Sequence, residues 1–421
     1  MRDPRREDRC TYPIEYILTM AMMMHCFQCG SRRQFAREMG VGRLPPNIWR
    51  MVRKAGYDAA CHTDTMNKVL GDVDPGDIEE LIRKMFDTLR RCRALDNARF
   101  CGFLVCAVDA TGVLSFKKPH CEFCTHSTSS SGVKTYFHNV LIAKIVTPWG
   151  LAVPLAYEFI ENPGNGQEYD KQDCEIKAWR RLSEKIRSSF PRLPLNISAD
   201  GLYADETTFK KCADNGWNFV ITLKDAKLSS LTSQLPSKTG AVGWDGEARM
   251  RVANSDGKMV ERIVRWKTPL RYHGKVCHVV ELEEVDAGGE RMYYNRWVTN
   301  IKPDRDNAFD IATIGRLRWK IENEGINTEK NAGYEMQHAY SRKDGGWKNY
   351  YLLLQISHLL NDLVRFSDII AKAAENPKAT FDRIYGTIRN YCKRLLRSFQ
   401  DGLVDLELLV DRKFQMRFVG S

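Results

Sequence analysis

The sequence predicts an α/β fold: a mixed sheet with a β-rich insertion, flanked by helical N- and C-terminal regions. Three observations lead there. Apolar residues recur at helical spacing through the first hundred positions. From Phe100 the texture changes to short apolar runs separated by turn residues, with amphipathic stretches between the later ones. After Asp306 the helical period returns. At 421 residues the chain exceeds what one core usually holds, so two or three domains are expected.

Tyr16, Met20, Met23, Met24 and Phe27 form a stripe along 14–27, which reads as a buried helix. Glu15 and His25 interrupt it, it falls short of a membrane-spanning length, and no small-residue cleavage site follows. Ser31 is placed to cap a second helix carrying Arg32, Arg33 and Arg37. A third runs from Pro75 through Ile78, Leu81, Ile82, Met85, Phe86 and Leu89 to Arg90, Arg91 and Arg93. Two readings of these arginines stand side by side: a solvated helix face, or a surface that contacts phosphates.

Residues 103–108 are continuously apolar, as in a strand buried on both faces. Runs at 136–146 and 151–160 flank Pro148-Trp149-Gly150, a hairpin turn. An amphipathic helix over about 168–190 presents Ile176, Trp179, Leu182 and Ile186 on one face. Strand 195–199, helix 206–215 and strand 218–223 follow. Three antiparallel strands followed by alternating helix and strand match the order of the ribonuclease-H-like fold. From about 227 to 301 the rhythm breaks into β-rich runs at 248–253, 260–266, 276–282 and 291–298, read as an inserted subdomain rich in Arg, Lys and Trp. Two long helical segments then reach about residue 399. In the last, Phe381, Ile384, Tyr385, Ile388, Cys392, Leu395 and Phe399 trace one stripe opposite Arg389, Lys393 and Arg397.

A hydrophobic content of 43% and a charged content of 28% exclude a disordered or fibrous chain. Lys and Arg number 64 against 53 Asp and Glu, a formal charge of +11, which favours an acidic partner, nucleic acid being the commonest. Thirteen cysteines without a regular framework indicate reduced thiols and a cytoplasmic location. No membrane partner is expected.

Asp109 closes the run 103–108 and Asp200 closes 195–199, each followed within three residues by glycine. Taken singly, each reads as a turn or capping residue. If both strands are central and adjacent, their ends bring two carboxylates together, which repulsion opposes unless a cation intervenes. Glu322 lies on the margin of a helical stripe formed by Ile314, Leu317 and Ile321, with Arg318 four residues earlier on nearly the same face. Taken alone, that pair reads as an ordinary surface ion pair.

Three segments together are more specific: Val108-Asp109-Ala110-Thr111-Gly112, Ser198-Ala199-Asp200-Gly201-Leu202-Tyr203, and Arg318-Trp319-Lys320-Ile321-Glu322 continuing to Lys330. In this order, and with the β-rich block between the second and third, they resemble bacterial insertion-sequence transposases of the DDE superfamily, in the group with a YREK signature. The resemblance spans about residues 100–345. It implies a catalytic and metal-binding triad of Asp109, Asp200 and Glu322, with Arg318 and Lys330 as the signature's basic residues on DNA. Two Mg²⁺ or Mn²⁺ ions would be the cofactors, suited to oxygen ligands. The partners implied are double-stranded DNA with terminal inverted repeats, a target DNA, and a second copy of the chain while DNA is bound. A hairpin intermediate is suggested as well. The sequence departs from the signature at Gly315, where tyrosine is usual, and at Glu329, which stands where the lysine is usual. On a straight helix Glu329 falls nearly in line with Glu322, and Lys330 about 80° round.

The organisation expected is a helical, DNA-binding region over 1–99 that includes Arg32 and Arg33, a catalytic core in two parts (100–226 and 303–345), the insertion at 227–302, and a helical C-terminal region at 346–421. Weaker signals remain. His120, Cys121, Cys124 and His126 have the spacing of a zinc knuckle, against a plain reading as reduced cysteines in a loop. Asp173 and Glu175 suit a helix N-terminus with or without a role at the site. Trp266, Trp297 and Trp319 read as core residues or as platforms for bases. Two other functions compete: a transposase-derived DNA-binding protein without catalysis, and a structure-specific nuclease that cuts without joining.

Overall fold

The apolar runs that predict strands do form them, and they share one sheet. A computed structural model describes the chain except at residues 1, 7, 9, 55–56, 165–171, 225–227, 237–242, 255–256, 406–416 and 419–421. Helices α1 (Ile14–Cys26), α2 (Arg32–Met39), α3 (Leu44–Met51), α4 (Thr63–Leu70) and α5 (Pro75–Arg91) come first. Ser31 accepts the Gln34 N–H at the start of α2, as its position suggested. Helices α3 and α4 have no counterpart in the sequence reading. Each spans eight residues, too few for a clear period, and α3 carries prolines in its first turn, where their missing N–H groups are harmless.

Strands β1 (Arg99–Phe100), β2 (Phe103–Phe116), β3 (Thr125–Thr128), β4 (Lys134–Val146) and β5 (Ala152–Ile160) follow, then α6 (Glu175–Ser189), β6 (Leu195–Ala199), α7 (Glu206–Asn215), β7 (Asn218–Thr222) and the short α8 (Ser229–Thr232). The expected first residues of the helix at 168–190 include 168–171, which lie outside the described residues, and the described helix begins at Glu175. Strands β4 and β2 pair antiparallel, whereas β6 runs parallel to β2 and β7 parallel to β6. With β5 on the far side of β4, the path β5-β4-β2-β6-β7 is the ribonuclease-H-like arrangement.

The β-rich stretch forms β8 (Gly246–Ala253), β9 (Met259–Tyr272), β10 (Lys275–Val285) and β11 (Arg291–Thr299). It continues the same sheet, because β11 pairs with β7 through Val298 and Ile221. Among the described residues the sheet has eleven strands. The expected boundary at 226–227 lies outside the described residues.

Helix α9 (Ala308–Lys320) leads into a π-helical turn (Ile321–Asn327) and α10 (Thr328–Asn331), and then come α11 (Asp344–Phe366) and α12 (Ile369–Ala373). The stripe at 381–399 is not one helix. Gly386 adopts φ +72°, and Thr387 caps a new start by accepting the Asn390 N–H, which divides the segment into α13 (Phe381–Tyr385) and α14 (Ile388–Asp401).

Side-chain alternation along β2 sorts the core. Val105 and Ala107 join α1 and α11 on one face; Leu104, Cys106 and Val108 join Trp179, Leu182 and Ile186 of α6 on the other. Helix α9 lies on the first face, where Ser198 Oγ donates to the Ile314 carbonyl at 3.1 Å. The sheet is therefore covered on both sides, as a parallel centre requires.

Candidate active site

Asp109 and Asp200 meet because of strand register. The parallel ladder between β2 and β6 ends on Ala107 opposite Ser198 and Val108 opposite Ala199, so the next residue on each chain is an aspartate. Neighbouring strands lie about 4.8 Å apart. Asp109 shares its parity with Ala107, and Asp200 with Ser198, so both belong to the face covered by α9. One expectation changes: Asp109 does not end its strand. β2 runs on to Phe116 paired with β4, and what stops at Val108 is only its pairing with the shorter β6.

The surroundings of the two acids differ. Burial pushes the Asp109 carboxyl up to about 6, and Glu322 and Glu175 push the same way, against Arg318 and the Ala110 N–H. Burial also raises Asp200, but Lys224, the Leu202 N–H and Arg318 outweigh it and hold the group below its ordinary value. Lys224 Nζ donates to Asp200 Oδ2 at 2.7 Å.

Glu322 arrives from α9 by way of the π-helical turn, its carboxylate half exposed, with Arg318 Nη2 at 3.8 Å from Oε2. Glu175, the first residue of α6, is a fourth carboxylate at the cluster. Burial raises it, the Tyr203 hydroxyl donates to its Oε2 at 3.3 Å, and Asp200 adds a further upward push. Sequence reasoning missed Tyr203 and Lys224 as members of this site, although Tyr203 ends the segment that contains Asp200. The four acids are not drawn into a closed ligand set, since the one group of ligand atoms within 4.8 Å of each other among the described residues lies elsewhere.

The signature departures have physical causes. A Cβ added to Gly315 would fall inside the Trp297 indole, so a side chain there is excluded by a buried tryptophan. Glu329 is fully buried and accepts hydrogen bonds from Lys144 Nζ, Gln355 Nε2 (2.7 Å) and His358 Nδ1 (3.0 Å). It is not in line with the half-exposed Glu322, because the helix between them is not straight. A π turn takes in one residue more than an α turn, which adds a lag of about 100°. Glu329 is thereby carried inward, and Lys330, half buried, is returned toward the face of Glu322.

Among the basic residues, Arg32 is engaged within the protein, donating to the Tyr340 carbonyl (2.8 Å) and pairing with Asp64 (2.9 Å). Arg33 is exposed beside it, on a cleft of about 600 Å³ that also takes in His62 and His338. Arg90 and Arg91 both pair with Asp87 at 2.6 Å, and Arg93 with Asp96 at 2.7 Å, which favours the solvated-face reading for those three. Trp266 and Trp297 are core residues, whereas Trp319 is 46% exposed next to Arg318.

His120, Cys121 and Cys124 do come together, but His126 is not with them. The fourth member is His138 of β4. Strand β3 pairs Thr125 with Phe137 and His126 with Tyr136, so continuing the ladder one residue back sets Cys124 opposite His138. His126 instead lies two positions along, its ring tilted over Tyr136 at 5.6 Å.

A ribonuclease-H-like sheet with acids on its two central parallel strands and a further acid on the covering helix defines a class of nucleic-acid-cutting enzymes. Residues 104–344, more than half of the chain, match the family model of the transposase DDE domain. The chain belongs to that family, a family of polynucleotidyl transferases, and DNA binding and divalent-metal catalysis go with membership. No curated protein matches it. No helix among the described residues is long and apolar enough to cross a membrane.

Proposed function

We propose that this enzyme cleaves DNA at the ends of a bacterial insertion sequence and joins the freed 3′ ends to a target, with Asp109, Asp200 and Glu322 as the metal-binding catalytic residues. The observation that carries the proposal is the register that puts Asp109 beside Asp200 on adjacent parallel strands. The donor set suits Mg²⁺ or Mn²⁺, being all carboxylate oxygen without thiol or imidazole. Asp109, the most buried of these acids, would hold the ions together with Asp200 and Glu322. Such ions supply a more nucleophilic oxygen and stabilise the one that leaves.

The chain's own residues do the rest. Arg318, which lowers the pKa of both aspartates, holds Glu322 and limits repulsion in the pocket. Lys224 neutralises Asp200 and would pass to a DNA phosphate when a cation takes its place at the carboxylate. The π turn supports reading Arg318, Glu322 and Lys330 as the signature despite the longer spacing, with Gly315 in place of its tyrosine. Arg33 and the exposed Trp319 are positioned to meet DNA, and Arg32 supports Arg33 from within. The substrate is double-stranded DNA with terminal inverted repeats, and pairing two ends calls for two copies of the chain. The helical region 1–99 would grip that DNA, the divided core (100–226 and 303–345) would cut it, and the protein would act in the cytoplasm, on the nucleoid.

The test uses linear DNA bearing the inverted repeats that flank the gene, with Mg²⁺. The wild-type chain should give cut ends and joined product. Asp109→Asn should lower cleavage at least about 10²-fold while leaving the fold intact. Cleavage undiminished by Asp109→Asn would remove it from the triad, and cut ends without joined product would make the protein a nuclease.

A further inference from the structure

The loop between β2 and β3 carries a second cluster, whose shape is that of a metal polyhedron. Cys121 Sγ and Cys124 Sγ lie 3.7 Å apart. His138 Nε2 is 3.5 Å from each sulfur and 3.4 Å from His120 Nδ1. All four atoms fall within 4.8 Å of one another. Bonds of about 2.3 Å to sulfur and 2.05 Å to nitrogen, arranged tetrahedrally, require edges of about 3.8 Å between sulfurs, 3.5 Å from sulfur to nitrogen and 3.3 Å between nitrogens. The four edges given above agree with these lengths within about 0.1 Å. We propose that His120, Cys121, Cys124 and His138 bind one Zn²⁺ as a closed structural site.

The surroundings favour a structural over a catalytic ion. Four protein ligands leave no open position. His138 is fully buried against Trp347 at the start of α11 (4.7 Å between rings), and His120 stacks on Phe116 at 4.5 Å. The site is separate from the carboxylate cluster in its ligand chemistry, soft and nitrogenous where the other is all oxygen.

The loop it would hold also positions the approach to α6. Asn162 donates from Nδ2 to the Cys124 carbonyl (2.9 Å) and from its backbone N–H to the Phe123 carbonyl (3.1 Å), and its Oδ1 accepts the Asp173 N–H (3.1 Å). Gln172 bonds both backbone groups of His126, at 2.7 and 3.1 Å. Two residues past Asp173 is Glu175, at the acidic cluster. A Zn²⁺ ion here therefore anchors β3, the end of β5 and the start of α6 to one another.

The full-length chain, purified without a metal-affinity tag and with thiols kept reduced, should contain about one zinc per chain by elemental analysis. Replacing zinc with Co²⁺ should produce the visible absorption of a tetrahedral ion together with a thiolate-to-cobalt band. Cys121→Ser and His138→Gln should each drop the bound metal below about a tenth of an equivalent, whereas His126→Gln should retain it. Removal of zinc by a chelator should speed amide exchange over 121–126 and 172–175 ahead of the β2 and β6 core. A folded, reduced chain with no zinc and no cobalt spectrum would overturn the proposal, and so would loss of metal in the His126 variant with retention in the His138 variant.

Discussion

Two acids withdrawn from water, Glu329 just past the π turn and Asp109 on β2, have opposite fates. Glu329 is buried with its partners in place: Lys144 from β4 and His358 from α11 more than offset the upward push of burial and hold its carboxyl well below the ordinary range. Asp109 lies largely buried among other acids, and Arg318, which pulls its pKa down, does not offset desolvation, so its carboxyl rises to about 6. The first arrangement binds the helix to the sheet. The second leaves negative charge uncompensated until a cation arrives. A structural acid and a candidate metal ligand are thus told apart by the company each keeps, since both are acids buried beside the same sheet.

The comparison can be broken most directly by the same change at both positions. Glu329→Gln strands the Lys144 ammonium in the interior, and the midpoint of urea unfolding should reveal a loss of about 3–5 kcal/mol. Adding Lys144→Met to that variant should return most of it. Asp109→Asn should do the reverse at pH 7.5 without metal, leaving stability equal or higher by up to about 3 kcal/mol. If both amides destabilise alike, the distinction fails.

pH sharpens the contrast. Asp109 holds its proton more tightly folded than unfolded, its value rising from 3.8 to about 6. Its contribution therefore favours the fold below about pH 4 and is lost as pH rises through about 6. Glu329 is shifted down, so its contribution is present above its unfolded value of 4.5 and is lost as pH falls below that. Melting temperatures with and without Mg²⁺ separate the two, because the ion competes with the proton on Asp109. The stabilisation by Mg²⁺ should be small at pH 5 and reach its plateau above pH 7, and it should vanish in Asp109→Asn. A smaller effect is expected at Gly315, where Gly315→Ala should cost about 1–3 kcal/mol by crowding Trp297; a neutral result would mean that something other than this indole keeps the signature tyrosine out.

What could be read along the chain was whatever is encoded locally. Strand β6 and helix α7 have the limits the sequence predicts, Ser31 caps α2, and the apolar runs ending in Asp109 and Asp200 mark where the parallel pairing stops. These follow from period, turn residues and caps within a few positions of one another. The helices α3 and α4 were too short for such a signal, and Gly386 divides a stripe whose apolar spacing continues across it.

Only the tertiary structure decided the matters of register and phase. His138 replaces His126 at the cysteine cluster because the β3–β4 ladder, and not closeness in sequence, sets which side chain faces Cys124. The π turn rotates Glu329 into the core because i→i+5 bonding alters the helical phase, which no count of residues on a straight helix registers. Glu175 joins the acids because α6 begins beside them, and β11 extends the sheet by pairing with β7, Val298 opposite Ile221, at a sequence separation of 77 (298 − 221). Periodicity is a property of neighbours along the chain; pairing and helical phase are settled by partners far away in sequence, and the candidate site is built from those.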